Sequence, residues 1–293
     1  MTSLHFQSIA IMARSGIPGV PDTLNALVDH LKRLQCTVFI EASTASIIDH
    51  QCPTVDFAHP TCAIDLIIVV GGDGSLIMAA HTAIAMDIPI LGINRGRLGF
   101  LTDIHPDQLQ VIDQILNGDY KKEQRFGLSV TLAPTDTTTC HTALNDAVLL
   151  PADQAQMIEF SVYVDEHHIC HHRADGMIVA TPTGSTAYAL SGGGPILYPS
   201  LEAIVLVPMF PHTLSSRPIV IPNKSTITLK ISDHNGKAPY ISCDGKDRTP
   251  VQPGSEVRIQ HQKKPLTLIH PKGYNYFQTL REKLHWEKKP QSH

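Results

Sequence analysis

The most informative part of the chain is residues 66–75, which read LIIVVGGDGS. The apolar run predicts a buried strand, the two glycines a tight turn, and the residues that follow a helix. Glycine lets the backbone adopt a positive φ and lets a phosphate group approach closely. A carboxylate fixed beside phosphates, here that of Asp73, can bind Mg²⁺ or accept a proton from an attacking hydroxyl. The turn therefore predicts a site of phosphoryl transfer.

Strands and helices alternate through the first part of the chain, and this alternation predicts a parallel sheet with helices on its faces. Such a sheet binds ligands at the carboxyl ends of its strands, where Gly71 to Ser75 lie. The predicted strands are residues 8–13, 37–40, 66–70 and 88–93, and the predicted helices include residues 24–34, 76–81 and 109–116.

From about Phe126 the apolar residues recur with a period of two, which predicts a mostly β domain. The runs are residues 158–164, 227–231, 257–259 and 266–268. A last helix is predicted at Tyr276–Leu284, and we expect it to pack back on the first domain. We therefore predict an α+β protein of two domains. An α/β domain covers residues 1–125, a β-rich domain residues 126–270, and a C-terminal helix and tail residues 271–293.

The composition argues against several classes of protein, including nucleic-acid-binding and membrane-spanning proteins. The 293 residues carry a net charge of −4 with no basic block, so the charge does not favour a nucleic-acid partner. No run reaches the roughly 18 apolar residues that a membrane helix needs, and the first residues lack the pattern of a signal peptide. The six cysteines are scattered without a Cys-x-x-Cys pair, which favours reduced thiols in the cytoplasm.

A cluster of imidazoles at residues 167–172, with the sequence HHICHH, has two interpretations. It is either a metal site or an exposed hairpin whose polar residues happen to be histidines. Adjacent residues of a strand point to opposite faces of the sheet, so neighbouring histidines do not readily bind one metal ion. The sequence therefore favours the exposed hairpin.

Three further segments combine polar side chains with glycine. Residues 181–195 are rich in Thr, Ser and Gly, and they suit a sugar–phosphate ligand or form a flexible surface loop. The pair Asn145-Asp146 suits two vicinal ribose hydroxyls, or forms a turn before a strand. Residues 173–176, with the sequence RADG, are either an ion pair and a turn or a ligand clamp.

Two common nucleotide-binding motifs are absent from the sequence. There is no Gly-x-x-x-x-Gly-Lys-[Ser/Thr] segment and no Gly-x-Gly-x-x-Gly after the first strand. A P-loop enzyme and an ordinary Rossmann dehydrogenase are therefore disfavoured.

Taken together, these segments resemble those of the bacterial NAD kinases over nearly the whole chain. The Gly-Gly-Asp-Gly turn alone is weak evidence for this family, because phosphofructokinases and diacylglycerol-type lipid kinases share it. The ordered set is specific: residues 71–75, 92–103, 145–146, 175–176, 181–194 and 208–218.

The resemblance implies transfer of the γ-phosphoryl group of ATP to the 2′-hydroxyl of the adenosine ribose of NAD, which gives NADP. It implies a Rossmann-like, phosphofructokinase-type N-terminal domain, a β-rich C-terminal domain and a site in the cleft between them. It also implies a divalent metal ion, most commonly Mg²⁺, and a homodimer or homotetramer.

The resemblance also assigns roles to individual residues. Asp73 matches the catalytic base, and Gly74 lets the ligand approach. Phe100 matches a residue near the adenine, and Asn145 with Asp146 matches the pair that holds the nicotinamide-side ribose. The remaining matches are Arg173 and Asp175, which complete the site partly from a neighbouring subunit, and the adenosine-contacting residues Thr186, Ala187, Tyr188, Ala189, Leu190 and Ser191. The family usually has Glu where this chain has Asp146, a side chain shorter by one methylene.

Two rival functions remain open. The first is a lipid or sugar kinase that shares the Gly-Gly-Asp-Gly turn, although it leaves Asn145-Asp146 and residues 181–194 unexplained. The second is a non-catalytic protein that binds NAD(H) and senses redox state. An assay of phosphate acceptors distinguishes a lipid or sugar kinase from an NAD kinase. Dinucleotide binding without turnover would identify the redox sensor.

Overall fold

A computed structural model describes residues 4–60, 62–96, 99–133, 140–153 and 156–286. The chain divides into two compact units. We name Met1–Gln124 together with Leu266–His293 the N-terminal unit, and Arg125–Pro265 the central unit. No helix among the described residues is long and apolar enough to cross a membrane.

The N-terminal unit begins with alternating strands and helices. In chain order they are β1 (Ser8–Ala13), α1 (Val20–Arg33), β2 (Thr37–Glu41), β3 (Thr54–Val55), β4 (Leu66–Gly71), α2 (Asp73–Met86), β5 (Ile90–Asn94), α3 (Gln110–Leu116) and β6 (Tyr120–Arg125). Every residue of β4 is buried, because helices cover both faces of a parallel sheet.

The central unit is built almost entirely from strands. They are β7 (Leu128–Ala133), β8 (Cys140–Ala143), β9 (Asp146–Leu150), β10 (Ile158–Val164), β11 (His167–Ala174), β12 (Gly176–Ala180), β13 (Ala203–Met209), β14 (Ile219–Pro222), β15 (Ile227–Ile231), β16 (Tyr240–Cys243), β17 (Lys246–Pro250) and β18 (Glu256–His261). The described residues of this unit also include a short α-helix, α4 (Tyr188–Ser191). The chain then forms β19 (Leu266–Pro271) and α5 (Tyr276–Leu284).

The sheet of the N-terminal unit has the strand order β3-β2-β1-β4-β5-β19-β6. Strand β1 pairs in parallel with β2 on one side and β4 on the other. The strand order therefore reverses beside β1, and ligands of open α/β sheets bind at the carboxyl ends of strands where the order reverses. Strand β4 leads into Gly72 and Asp73 at this position, so the fold places the predicted turn at the expected ligand edge.

The central unit contains two six-stranded antiparallel sheets, which together form a sandwich. One has the order β11-β10-β15-β18-β7-β8, and the other β14-β13-β12-β9-β16-β17. Inward-facing residues of both sheets share one core, including Val130, Phe160, Leu149 and Val179. The predicted classes, a parallel α/β sheet and a mostly β region, are confirmed by these sheets.

Strand β19 corrects one sequence prediction. The alternation of Leu266 and Leu268 predicted a strand of the β-rich domain, but β19 lies between β5 and β6 in the sheet of the N-terminal unit. Leu268 pairs in parallel with Ile90 of β5. A period of two predicts a strand without saying which sheet it joins, because pairing depends on contacts far away in the chain.

The histidine cluster gives a second correction. Strands β10 and β11 form the predicted hairpin, but His172 is only 5% exposed and packs on Phe160, with ring centroids 5.6 Å apart. Its Nε2 lies 3.1 Å from the sulfur of Cys170. Burial, together with the neighbouring His171, lowers the pKa of His172. The prediction of exposed imidazoles is wrong for this residue, because alternate residues of β11 face the core.

Candidate active site

The Asp73 carboxylate is fixed by backbone donors from another part of the N-terminal unit. Asp73 is the first residue of α2, directly after Gly72. Its Oδ2 accepts a hydrogen bond from the backbone N–H of Phe100 at 2.8 Å, and its Oδ1 accepts one from that of Leu101 at 3.0 Å. The hydroxyl of Thr102 lies 3.5 Å from Oδ1. Each carboxylate oxygen has two acceptor sites, so the carboxylate is oriented and still has capacity for a substrate hydroxyl.

The segment that provides these donors, residues 99–103, is anchored to the end of β5. The side-chain amide of Asn94 donates to the Thr102 carbonyl at 3.2 Å, and the backbone N–H of Asn94 donates to the Ile104 carbonyl at 2.7 Å. The backbone N–H of Arg95 also donates to the Gly71 carbonyl at 2.9 Å. We call residues 99–103 the donor loop. It holds Asp73 against the carboxyl edge of the sheet.

Glycine is required at one position of the donor loop and leaves open space at another position of the site. A Cβ at residue 99 would lie 2.2 Å from Oδ1 of Asp73 and 2.4 Å from the hydroxyl oxygen of Thr102. A Cβ at Gly74, in contrast, would meet no atom within 4 Å. Gly99 therefore permits the close approach of the loop to Asp73, and Gly74 leaves room beside it.

We expect Gly99→Ala to lower the rate of the predicted phosphoryl transfer by roughly ten- to a hundredfold. The methyl group would displace the Asp73 carboxylate, the predicted proton acceptor, and small displacements of catalytic groups have effects of this size. Steady-state kinetics of the purified variant measure it. Gly236→Ala is the matched control, since a Cβ there would meet no atom within 4 Å. Equal turnover of both variants and the wild type would show that the position of Asp73 tolerates this change.

Phe100 lies half-buried beside the C-terminal helix. Its ring centroid is 6.4 Å from that of Tyr276, the first residue of α5. The ammonium group of Lys283 lies 5.5 Å from the same ring. Phe100 thus supplies a partly accessible aromatic face next to the backbone N–H that holds Asp73.

In the central unit, Asn145 and Asp146 lie where β8 gives way to β9, and a third residue fixes their backbone. The Asp244 carboxylate accepts hydrogen bonds from the backbone N–H groups of Leu144 at 2.8 Å, Asn145 at 2.7 Å and Asp146 at 3.3 Å. The Asp244 backbone N–H in turn donates to the Asp146 carbonyl at 3.0 Å. The Asn145-Asp146 segment is therefore held in one conformation.

Asp244 was not among the residues predicted from the sequence. It precedes Gly245 in the two-residue turn between β16 and β17, and both residues have positive φ values, 52° and 69°. An Asp-Gly pair between two strands is a strong signal for such a hairpin turn. That signal predicts the turn. It does not predict that the Asp244 carboxylate binds the backbone of a segment about a hundred residues earlier in the chain.

Asp146 is a buried carboxyl group next to another one. Its residue is only 5% exposed. Burial, with a smaller contribution from the charge of Asp244, raises the pKa of Asp146 to about 7. Asp146 therefore changes its charge near neutral pH, whereas an ordinary Asp is ionised well below it.

The segment around residues 181–191 packs directly on Asn145. The backbone N–H of Thr181 donates to the Asn145 carbonyl at 2.9 Å, and the Thr181 hydroxyl donates to the Leu144 carbonyl at 2.6 Å. A Cβ at Gly184 would lie 2.1 Å from the Asn145 carbonyl oxygen. The segment is thus built into the central unit by hydrogen bonds, which does not fit the alternative of a flexible surface loop.

The six residues predicted to contact adenosine differ in exposure. Tyr188 is 43% exposed and Ser191 is exposed, while Thr186, Ala187 and Leu190 are half-buried. Ala189 is fully buried and packs in a small core with Ile178 and Val207. The side chain of Tyr188 is therefore the one that offers a large accessible ring.

Arg173 and Asp175 lie apart from Asn145 and Asp146 within the central unit. Asp146 pairs with Ala180 at one end of β12, and Asp175 precedes the other end. Five residues of strand span roughly 16 Å. The backbone N–H of Asp175 donates to the Met209 carbonyl at 2.9 Å, and that of His212 donates to the Arg173 carbonyl at 3.0 Å. Arg173 and Asp175 thus adjoin residues 209–212 rather than Asn145 and Asp146.

Comparison with known families matches both parts of the chain. The family model of the ATP-NAD kinase N-terminal domain matches residues 28–120, and that of the ATP-NAD kinase C-terminal domain matches residues 144–271. The chain belongs to the NAD kinase family. An NAD kinase of Coxiella burnetii is 52% identical over 286 residues, which cover 97% of this chain and 96% of the relative. One of Chromohalobacter salexigens is 46% identical, with 96% and 97% coverage.

Two solved structures share the fold of this chain. Yeast NADH kinase complexed with NADH has a TM-score of 0.85 and 23% identity, with 98% of this chain and 89% of that chain covered. An NAD kinase from Archaeoglobus fulgidus in complex with ATP has a TM-score of 0.72 and 25% identity, with 94% and 99% covered. The family membership agrees with the resemblance seen in the sequence motifs.

Proposed function

We propose that this chain is an ATP-dependent NAD kinase, a phosphotransferase that converts NAD to NADP. The observation that carries the proposal is the Asp73 carboxylate, fixed at the ligand edge of a parallel sheet in a chain about half identical to NAD kinases over nearly its whole length. The acceptor is the 2′-hydroxyl of the adenosine ribose, and the donor is the γ-phosphoryl group of ATP.

Asp73 acts on the acceptor hydroxyl. As the 2′-oxygen forms its bond to the γ-phosphorus, the bond from that phosphorus to the bridging oxygen breaks and ADP leaves. The hydroxyl proton passes to a free acceptor site of the Asp73 carboxylate late in this step. The two backbone donors of the donor loop keep the carboxylate oriented throughout, so positioning contributes much of the rate enhancement.

NAD is recognised mainly by residues of the central unit. In this proposal Asn145 and Asp146 bind the vicinal hydroxyls of the nicotinamide-side ribose, with the ionised Asp146 accepting both protons. Thr186–Ser191 contact the adenosine part, with Tyr188 as its accessible ring, and Phe100 lies near the adenine. The support is the fixed backbone of residues 144–146 and its direct contact with Thr181.

The metal ion is proposed to be Mg²⁺ that arrives bound to ATP. Among the described residues, no group of three or more His, Cys, Asp or Glu side chains is placed to hold a metal ion. In kinases Mg²⁺ keeps several waters and binds through substrate phosphates with one or two carboxylates, so it does not need such a group of protein ligands. When bound, the ion would neutralise negative charge on the phosphates during the transfer.

A homodimer or homotetramer is proposed because the site needs residues that lie apart in one chain. Arg173 and Asp175 adjoin residues 209–212, where Phe210 is 78% exposed and has a positive φ of 43°. Leu214 is 93% exposed nearby in the chain. We call Phe210 and Leu214, together with the exposed edge strand β14, the apolar edge. In this proposal a second copy covers the apolar edge, which adjoins Arg173 and Asp175 through residues 209–212.

We expect the double variant Phe210→Asp, Leu214→Asp to be monomeric and nearly inactive, because two charges at the apolar edge oppose its burial. Size-exclusion chromatography with light scattering and a turnover assay measure both effects. Leu201→Asp is the control, as it adds a charge at a residue that is also exposed. A monomeric double variant with full activity would show that a second copy contributes nothing to the active site.

The function is tested by incubating the protein with ATP, Mg²⁺ and NAD and detecting NADP with an NADP-specific dehydrogenase. Steady formation of NADP supports the proposal. Phosphorylation of a lipid or sugar instead of NAD would identify the first rival, and NAD binding without turnover the redox sensor. The cytoplasm is the proposed location, supported by the free thiols of Cys36, Cys52, Cys62, Cys170 and Cys243.

A further inference from the structure

His270, near the end of β19, is buried between two carboxylates. Its side chain is 1% exposed, its Nδ1 lies 2.9 Å from an Asp103 oxygen, and its Nε2 lies 3.2 Å from a Glu123 oxygen. The side chains of Asp103 and Glu123 are 11% and 14% exposed. The Tyr274 ring stacks on the imidazole, with centroids 3.9 Å apart and planes 8° from parallel. The imidazole therefore lies within bonding distance of two mostly buried anions.

This arrangement favours the imidazolium form. Burial alone lowers the pKa of His270, but the hydrogen bond with Asp103 and the nearby charges of Asp103 and Glu123 outweigh it and raise the pKa above its ordinary value. Lys121 lies 5.4 Å from the centroid of the Tyr274 ring. The helices α2 and α3 also pack on β19. Their titratable side chains are Asp73 and His81 on α2, and Asp113 on α3, which pairs with His30.

His270 is connected to the catalytic carboxylate by a short path within the N-terminal unit. Asp103 is the last residue of the donor loop, whose Phe100 and Leu101 N–H groups hold Asp73. The contact of Phe100 with Tyr276 adds a second attachment to the same C-terminal segment. The C-terminal end of the donor loop is thus held at Thr102 by Asn94 and at Asp103 by His270.

We propose that His270, with Asp103 and Glu123, is a positioning residue for the NAD kinase reaction. Its charge holds the donor loop in the conformation that orients Asp73. The inference rests on the proposed function, because Asp73 must be the proton acceptor for its orientation to matter. It assigns a role in catalysis to β19, a strand that touches neither NAD nor ATP in this proposal.

His270→Gln tests the inference. The glutamine amide donates to Asp103 but cannot carry the charge or bridge both carboxylates. We expect kcat to fall on the order of tenfold near pH 6.5, with the KM for NAD changed less than about twofold, because the substrate-binding residues of the central unit are untouched. A circular dichroism melt of each protein establishes that it is folded in the assay.

The pH profile separates positioning from a merely structural role. Wild-type His270 loses its charge as the pH rises through its raised pKa, so the ratio of wild-type to variant kcat should fall towards one at high pH. The same proton stabilises the fold fully below about pH 6.5, and that contribution is lost as the pH rises through the folded-state pKa. The difference in Tm between the two proteins should therefore shrink over the same range.

His30→Gln is the matched control. His30 is also mostly buried and lies 2.6 Å from a carboxylate, that of Asp113, which belongs to α3 rather than to the donor loop. It should leave kcat unchanged. Glu123→Gln is a second test variant, which keeps the shape and the Asp103 contact if His270→Gln unfolds, and we expect it to lower kcat by a few fold.

Each result has one meaning. Wild-type protein that makes no NADP overturns the proposed function. Active wild type with an unchanged kcat in folded His270→Gln, or in Glu123→Gln if the former unfolds, overturns only the positioning role. A kcat ratio that stays constant with pH, or an equal loss in His30→Gln, also overturns it.

Discussion

Replacing Asp73 with asparagine should lower kcat at least about a hundredfold, the effect typical of a lost general base. An amide does not accept the proton of the 2′-hydroxyl. Its NH₂ group would also face one of the backbone N–H groups of Phe100 and Leu101, both of which are donors. The fold should persist, because α2 and β4 keep their buried apolar contacts.

The control for this variant is Asp22→Asn. Asp22 is also an aspartate in the first turn of a helix of the N-terminal unit, namely α1. It should retain full turnover, whereas Asp73→Asn loses it without a large change in the KM for NAD. An Asp73→Asn protein that keeps most of its activity would exclude Asp73 as the proton acceptor.

Asp146→Asn should have opposite effects on function and stability. We expect the KM for NAD to rise about tenfold or more, because the amide accepts fewer hydrogen bonds from the ribose and lacks the charge. We also expect Tm to rise at pH 8, because the wild type must there bury an ionised carboxylate beside Asp244. Such a trade between stability and function is common at binding sites.

The pH dependence follows from the raised pKa of Asp146, about 7 in the folded protein. The folded state holds the proton more tightly than the unfolded chain, so this group's contribution to stability is complete below about pH 4 and is lost as the pH rises through 7. The Tm advantage of Asp146→Asn should therefore grow up to about pH 8. The wild-type KM for NAD should fall over the same range as the carboxylate ionises.

Asp153→Asn is the control, since Asp153 is an exposed partner of Lys237 in the same unit. It should change neither the KM for NAD nor the pH dependence of Tm appreciably. An Asp146→Asn protein that is less stable than the wild type at pH 8, or that binds NAD equally well, would contradict the assignment.

The local features of this fold could be predicted from the sequence. The apolar run and glycines of residues 66–75 indicated β4, the turn and α2, and the predicted helix Tyr276–Leu284 coincides with α5. These elements depend on neighbouring residues. Strand β19 was assigned to the wrong sheet because its pairing with β5 joins residues far apart in the chain.

The candidate site shows the same limit. Asp73 could be located because its turn is local, and the resemblance supplied the other residues. Asp244 and His270 were not predicted, because their contacts span about a hundred residues and 167 residues of sequence respectively. A single carboxylate or imidazole carries no periodic signal, so only the folded chain shows what each one touches.

The position of β19 has a consequence for biosynthesis. A ribosome makes the first six strands of the sheet long before it reaches residue 266, yet β19 belongs between β5 and β6. A nascent chain that stops at Gln124 lacks the strand that pairs between β5 and β6. The unpaired backbone groups of these strands can then pair with strands of other chains. The aspartate at the turn therefore acquires its final surroundings only when translation is nearly complete.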